Sequence, residues 1–532
     1  MTYFFRQELV FLAEETVLAI DVGTQSVRAL AFDPRGKMID QARVVYASPY
    51  NSPQPGWAEQ DPAYYWQCLA QACRQLWAGG KVSPDALAAV AVTYQRSTLV
   101  NLDRQGQPLR PAIVWLDQRR ARSLPPVGVL WDSAFRMSGL TGTLRYLQAE
   151  AEANWLAENQ PDIWEKTRHY LFLSGYITYR LTGRFADSTG CQVGYLPFDY
   201  KRQAWASPSS WKWKAIPMRS EILPELVSPG ERLGVVTARA ALDTGLPEGL
   251  AVIAAASDKA CEVLGSGCLE PHQGCIGYGT TATINVNSTR YKEPITLIPP
   301  YPSACPGEYN LEVQIYRGFW MVSWFKEEFA LQECSLALEE GVAAEEILDR
   351  LVKDIPPGSM GLILQPFWSP GLRYPGPEAR GSVIGFSGVH SRGHLYRSIL
   401  EGLAYAVREG RERIEKRAGV RLKELYVCGG GSRSDQMMQI TADVFGLPAA
   451  RPSVYEASGL GAAILAARGA GLHTDLKTAV GEMTARGRVF EPDTGAAEVY
   501  DQLYRKVYRK MYRKLLPLFR DIQNITGYPE SP

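Results

Sequence analysis

The sequence predicts an α/β protein of two domains, and three observations predict it. A strand, tight loop and strand at residues 17–32 are echoed at residues 274–287. Short apolar runs alternate with stretches of helical spacing along most of the chain. The 532 residues also exceed the length at which a single core stops growing.

Val17 to Asp21 is apolar, Val22 to Ser26 is rich in turn residues, and Val27 to Phe32 is apolar again before the turn at Asp33 to Gly36. Met38 to Tyr46 reads as a third strand. Pro62 to Trp77 carries apolar residues at helical spacing behind Asp61, a plausible N-cap. Ala88 to Thr93 and Ala112 to Trp115 read as short buried strands, as does Ala251 to Ala256, which ends at Ser257 and Asp258 before a helical stretch from Lys259 to Gly265. Gly274 to Tyr278, the small-residue turn Gly279 to Thr281 and Ala282 to Asn287 then repeat the opening hairpin. His394 to Lys416 reads as a long helix, Leu425 to Cys428 as a strand, and Gly429 to Gly431 as a glycine turn entering a helix from Ser434 to Phe445. Gly459 to Arg468 is a small-residue helix able to pack closely. The division expected is an N-terminal extension over 1–16, a first domain over 17–264 and a second over 265–532.

Composition narrows the function classes. Apolar residues make up 46% and charged residues 21%, which is ordinary globular usage. A net charge of +1 offers no field for gripping nucleic acid or an anionic membrane. Met1 to Glu15 lacks the features of a signal peptide, and no run reaches membrane-spanning length. Nine cysteines without a Cys-x-x-Cys pair fit a reduced, cytoplasmic protein. Cys261, Cys268 and Cys275 recur every seven residues, but they run from a helical stretch into a strand and are read as buried small hydrophobes that share no face. The basic amphipathic tail from Tyr500 to Leu515 suits a membrane surface or, better, a helix docked on its own domain. His390 and His394 have metal-compatible spacing without the accompanying Glu. A homodimer is the default for a soluble chain.

No Walker loop is present, so ATP must be held another way. Asp21 to Ser26 supplies a carboxylate at a strand end to hold Mg²⁺ through water, Gly23 for close approach, and the Thr24 hydroxyl with turn amides for phosphate oxygens. Arg28 could add a charged contact. Gly279 and Thr280 form a second such turn. Gly430 and Gly431, followed by Asp435, form a third at a strand-to-helix junction where a flat ring could lie on bare backbone. Each has an alternative as a plain tight turn.

Several segments together resemble the FGGY family of carbohydrate kinases, which includes glycerol kinase and xylulokinase. The stretch from Gly381 to Phe386 (Gly-Ser-Val-Ile-Gly-Phe) with His394, Leu395, Ser398 to Glu401 and Gly402 is similar to the family's C-terminal signature. Pro55 to Pro62, Ala112 to Asp117 and Gly459 to Ala463 also resemble family segments, and the likeness spans about Val17 to Gly471. It implies two actin-like or ribonuclease-H-like ATPase domains with a central cleft closing on substrate. It implies ATP and Mg²⁺, with Asp258 as general base and Asp21 and Asp258 holding Mg²⁺ through water. A helix N-cap is the alternative role for Asp258.

Gln95 and Arg96 resemble the pair that grips polyol hydroxyls in the glycerol kinase branch, and Trp115 resembles a wall of that pocket. Ser97 stands where glycerol kinases carry Glu, and Lys259 stands where they have Gln and xylulokinases have Asn. Glu152 replaces the Lys of the family's N-terminal signature. Lys259 could pair with Asp258, bind an acidic group on the substrate or point to solvent. The expectation is phosphorylation of a small sugar or polyol, with a ketopentose such as xylulose favoured. The rivals are a kinase for glycerol, another polyol or a signalling molecule, and a non-catalytic nucleotide-binding protein.

Overall fold

A computed structural model of the chain describes residues 15–294, 296–369, 375–376 and 378–528. Residues 1–14 of the expected N-terminal extension lie outside the described residues. The chain folds as two compact α/β units. Of the described residues, the first takes those within 15–199, 203–261 and 459–483, and the second those within 200–202, 262–458 and 484–528.

The first unit is built on a six-stranded sheet in the order Arg232–Val235, Ala251–Ser257, Leu87–Tyr94, Thr16–Val22, Ser26–Phe32 and Met38–Val45. Thr16–Val22 pairs antiparallel with Ser26–Phe32 and parallel with Leu87–Tyr94, which is in turn parallel to Ala251–Ser257. Being covered on both faces, these central strands read as continuous apolar runs rather than alternating ones. Every residue of Thr16–Val22 is buried. The helix Pro62–Ala78 starts where expected: the Asp61 side chain accepts the Ala63 N–H and Pro62 occupies the first turn.

The second unit repeats the plan. Gln273–Tyr278 pairs antiparallel with Ala282–Ser288, which pairs with Tyr309–Ile315, while Glu424–Cys428 and Ala449–Pro452 lie parallel on the other side. Each sheet thus runs third, second, first, fourth, fifth strand, with an antiparallel strand beside the fifth, Arg232–Val235 in one unit and Arg486–Phe490 in the other. Each unit also owns its core. One is gathered around Leu18, Ile20, Val90 and Leu173, the other around Ile276, Ile284, Leu400 and Val427. The 27-residue helix Arg392–Ala418 crosses the second core and ends at Gly419 in the left-handed conformation.

Five details differ from, or refine, the sequence reading. The strand expected over 112–115 is only Ala112–Ile113, because the chain turns at once: Asp117 N–H donates to the Val114 carbonyl, and the Asp117 carboxylate accepts from Ala58 N and Arg119 N. The helix Ala457–Gly469 packs with the first unit, so the units are not two contiguous stretches of chain. Small residues make this possible: a Cβ on Gly459 would fall 2.1 Å from Leu30 Cδ1, and one on Gly461 2.0 Å from the Cys261 carbonyl oxygen. Cys268 and Cys275, read as sharing no face, do meet, because a turn after Gly265 folds the chain back and Cys428 joins them from the neighbouring strand. His394 serves its helix, its ring accepting the Ser391 N–H in a capping box. The tail docks on its own unit: Tyr500, Tyr504 and Tyr508 are fully buried, with Tyr504 stacked on Tyr405.

Candidate active site

In the first unit Asp21 ends a buried strand, and the following turn closes through Gly23 N–H to the Ser26 carbonyl at 3.1 Å. Arg28, on the returning strand directly opposite Asp21, donates to Asp21 Oδ2 at 2.9 Å. Its guanidinium is therefore placed on the carboxylate. Thr24 Oγ1 accepts the indole N–H of Trp115 at 2.9 Å. An indole nitrogen can only donate, so the threonine must accept there, and its own proton is left for another acceptor.

Asp258 follows the buried strand Ala251–Ser257 and opens the helix Asp258–Gly265. Its Oδ1 accepts the Lys259 backbone N–H at 2.8 Å, and Arg96 Nε lies 3.9 Å from the same oxygen. A carboxylate held at a helix start by a backbone amide is also what capping would give, and the Arg96 contact is the addition. Gln95 is buried; its Nε2 donates to Tyr65 OH at 3.1 Å, while its Oε1 has no donor among the described residues. A ligand hydroxyl is the kind of group that satisfies such an acceptor. The backbone N–H of Gln95 donates to the Val22 carbonyl, which ties this segment to the first turn. Ser97 adopts φ +55°, and its hydroxyl donates to the Val193 carbonyl at 2.8 Å.

Behind these residues Asp187 accepts from the Ser174 hydroxyl at 2.7 Å, Gln192 Nε2 at 2.8 Å and the Ser188 N–H at 2.8 Å. Burial outweighs those bonds and pushes its carboxyl up to about 7. The Cys261 thiol is pushed up to about 12 by burial, with added repulsion from Asp258 and Asp21. Arg119, in a stretch whose role the sequence leaves open, lies between the rings of Trp57 and Trp155 and forks onto Asp117.

In the second unit the hairpin turn closes through Gly279 N–H to the Thr281 carbonyl at 3.0 Å and leaves Thr280 exposed. The glycine turn packs directly on it. Gly429 has φ +78° and would place a Cβ 2.7 Å from the Tyr278 carbonyl oxygen, and a Cβ on Gly431 would meet Tyr278 and Phe319. Gly430 faces open space, leaving bare backbone accessible. Asp435 is engaged by Arg451 at 2.7 Å and Arg488 at 2.5 Å. The adjoining Ser434 caps the helix through Met437 N–H and donates to Asp349, whose carboxyl burial pushes up to about 6.

Direct links thus join Asp21 to Arg28, Thr24 to Trp115, and Arg96 to Asp258 with Lys259 in the first unit. Gly279, Thr280, Gly430 and Gly431 cluster in the second, and Asp435 stands in an ion pair beside them. Sequence reasoning missed Tyr65 and Asp187. The Ala-Asp-Ser-Thr-Gly run around Asp187 is visible in the sequence, but no spacing ties it to the other residues.

Two domain profiles of the FGGY family of carbohydrate kinases match the chain, the N-terminal one over residues 16–265 and the C-terminal one over 274–470. A xylulose kinase of Lactococcus lactis is 29% identical over 472 residues, covering 87% of this chain and 89% of its own. A glycerol kinase of Thermococcus gammatolerans is 30% identical over 495 residues, covering 90% and 94%. The crystal structure of xylulose kinase from Rhodospirillum rubrum superposes with a TM-score of 0.76 at 26% identity, covering 95% of this chain and 100% of that one. The duplicated fold and its turns are those of a sugar kinase, an enzyme that transfers a phosphoryl group to an alcohol. The chain belongs to the FGGY family of carbohydrate kinases, whose members use ATP.

Proposed function

We propose that this kinase phosphorylates a hydroxyl of a small sugar or polyol, a ketopentose such as xylulose in preference to others, with Asp258 as general base. The observation that carries the reading is Asp258 at the end of a buried strand, held by the Lys259 N–H and faced by Arg96 of the Gln95–Arg96 segment. A forked guanidinium and an amide suit neighbouring hydroxyls, and the Trp115 face suits the apolar side of a sugar. Asp258 takes the proton of the acceptor hydroxyl as that oxygen bonds the γ-phosphorus and the bond to ADP breaks.

Thr24 in the first unit, and Thr280 with Gly279 in the second, offer hydroxyls and amides to phosphate oxygens, while Gly430, Gly431 and Asp435 border the adenosine. The carboxylates of Asp21 and Asp258 are hard oxygen donors of the kind Mg²⁺ takes through water. When bound, the ion neutralises phosphate charge. Arg28, paired with Asp21, holds that carboxylate in place. The Lys259 side chain is assigned to the acceptor. A glycerol-type acceptor is the second reading, favoured by the likeness of Gln95 and Arg96 to the glycerol kinase pair.

The test is ADP release with MgATP across ketopentoses, ketohexoses, pentitols, erythritol and glycerol, with Asp258→Asn as control. Stimulation by a ketopentose that the variant lacks, while ATP binding is retained, is expected. Turnover surviving in the variant removes Asp258 as the base, and a response to glycerol alone moves the substrate to the second reading.

A further inference from the structure

We propose that Glu262, Cys275 and Cys428 form a binding site for a zinc-class divalent ion inside the second unit. A carboxylate oxygen of Glu262 and the two sulfurs all lie within 4.8 Å of one another. They come from three separate elements: the helix Asp258–Gly265 and the adjacent parallel strands Gln273–Tyr278 and Glu424–Cys428.

The spacing suits a metal better than a cross-link. The two sulfurs are 3.8 Å apart. A tetrahedral ion with Zn–S bonds of about 2.3 Å sets its sulfurs about 3.8 Å apart, so both reach it without backbone movement. A disulfide would need them to close to about 2.05 Å, against the hydrogen-bonded ladder that fixes the two strands.

The surroundings also fit. Glu262 is 7% exposed, Cys275 0% and Cys428 1%, and the two cysteines sit in an apolar cluster with Val263, Ala450 and Ala457. The site is shut off from solvent, and a tetrahedral ion on these three ligands keeps its fourth position for a water. Cys268 packs beside Cys275, and the Ser266 hydroxyl lies 3.7 Å from the Cys275 sulfur. These are outer contacts of the sort that orient a metal-bound thiolate. Two soft sulfurs and one carboxylate select zinc or cobalt over magnesium or calcium. Loading releases both thiol protons, leaving two thiolates and a carboxylate on the ion.

The consequence is local order where the nucleotide turns begin. Cys275 lies on the strand that runs into Gly279 and Thr280, and Cys428 directly precedes Gly429. One ion would pin the bases of both turns, and, unlike the Mg²⁺ assigned above, it is structural.

The test uses the full chain produced in zinc-supplemented medium, with metal content measured after extensive dialysis and cobalt then exchanged in. About one zinc per chain and a thiolate-to-cobalt charge-transfer band in the near ultraviolet are expected. Cys428→Val should lose both, Glu262→Gln should bind at least tenfold more weakly, and a chelator should lower the melting temperature of the parent but not of Cys428→Val. A metal-free parent that gives no thiolate–cobalt band, or a band that survives in Cys428→Val, overturns the site. The parent measurement stands alone should the valine variant fail to fold.

Discussion

Trp115 and Thr24 meet through one hydrogen bond whose direction is forced, because the indole can only donate. Under the proposed roles, this bond points the threonine proton at a phosphate oxygen. Trp115→Phe keeps the apolar wall and removes the donor. One such bond is worth about 1 kcal/mol, so KM for ATP should rise roughly fivefold, more than KM for the sugar. Equal changes in both would deny the link. Arg96→Lys keeps the charge near Asp258 but not the fork, and kcat/KM for the acceptor should fall about tenfold or more in steady-state assays. Asp187 gives a stability signature. With its carboxyl at about 7, the folded chain keeps a proton that an unfolded chain, titrating near an ordinary aspartate value of about 3.9, has released. The folded state therefore binds more protons between those values, and this contribution is present at low pH and lost as pH rises to about 7. Asp187→Asn should flatten melting temperature against pH across that window. An unchanged slope would mean that the carboxyl titrates normally.

Elements are more legible in the sequence than contacts. Strands covered on both faces leave unbroken apolar runs, and both hairpins were legible for that reason. So was the helix behind Asp61, whose cap is a local device. Asp61→Ala should cost about 1 kcal/mol in chemical denaturation. Trp115 with Thr24, Arg96 with Asp258 and Tyr65 with Gln95 are tertiary pairings, and no local periodicity encodes which strand ends meet. The helix Ala457–Gly469 shows the same limit. Its small residues announced close packing, but the partner surface, Leu30 and the Cys261 carbonyl, is remote in sequence. Gly461→Ala should lower the denaturation free energy of the first unit by about 3 kcal/mol, since the obstructing atom is backbone and cannot swing away.

At the scale of the whole molecule, each unit carries a core of its own. Scanning calorimetry should therefore resolve two transitions, with the acceptor sugar raising the midpoint of the first unit and adenine nucleotide, whose phosphates are assigned to turns of both units, raising both. A single two-state transition would contradict independent cooperative units. The order of the chain adds a further consequence. The first unit needs residues 459–483 to complete it, and these are made only after most of the second unit. On the ribosome, a nascent first unit must wait with its Leu30 and Cys261 surfaces uncovered for the roughly ten to forty seconds that translation of the intervening stretch takes. Its exposure to chaperones is thereby set by the speed of translation.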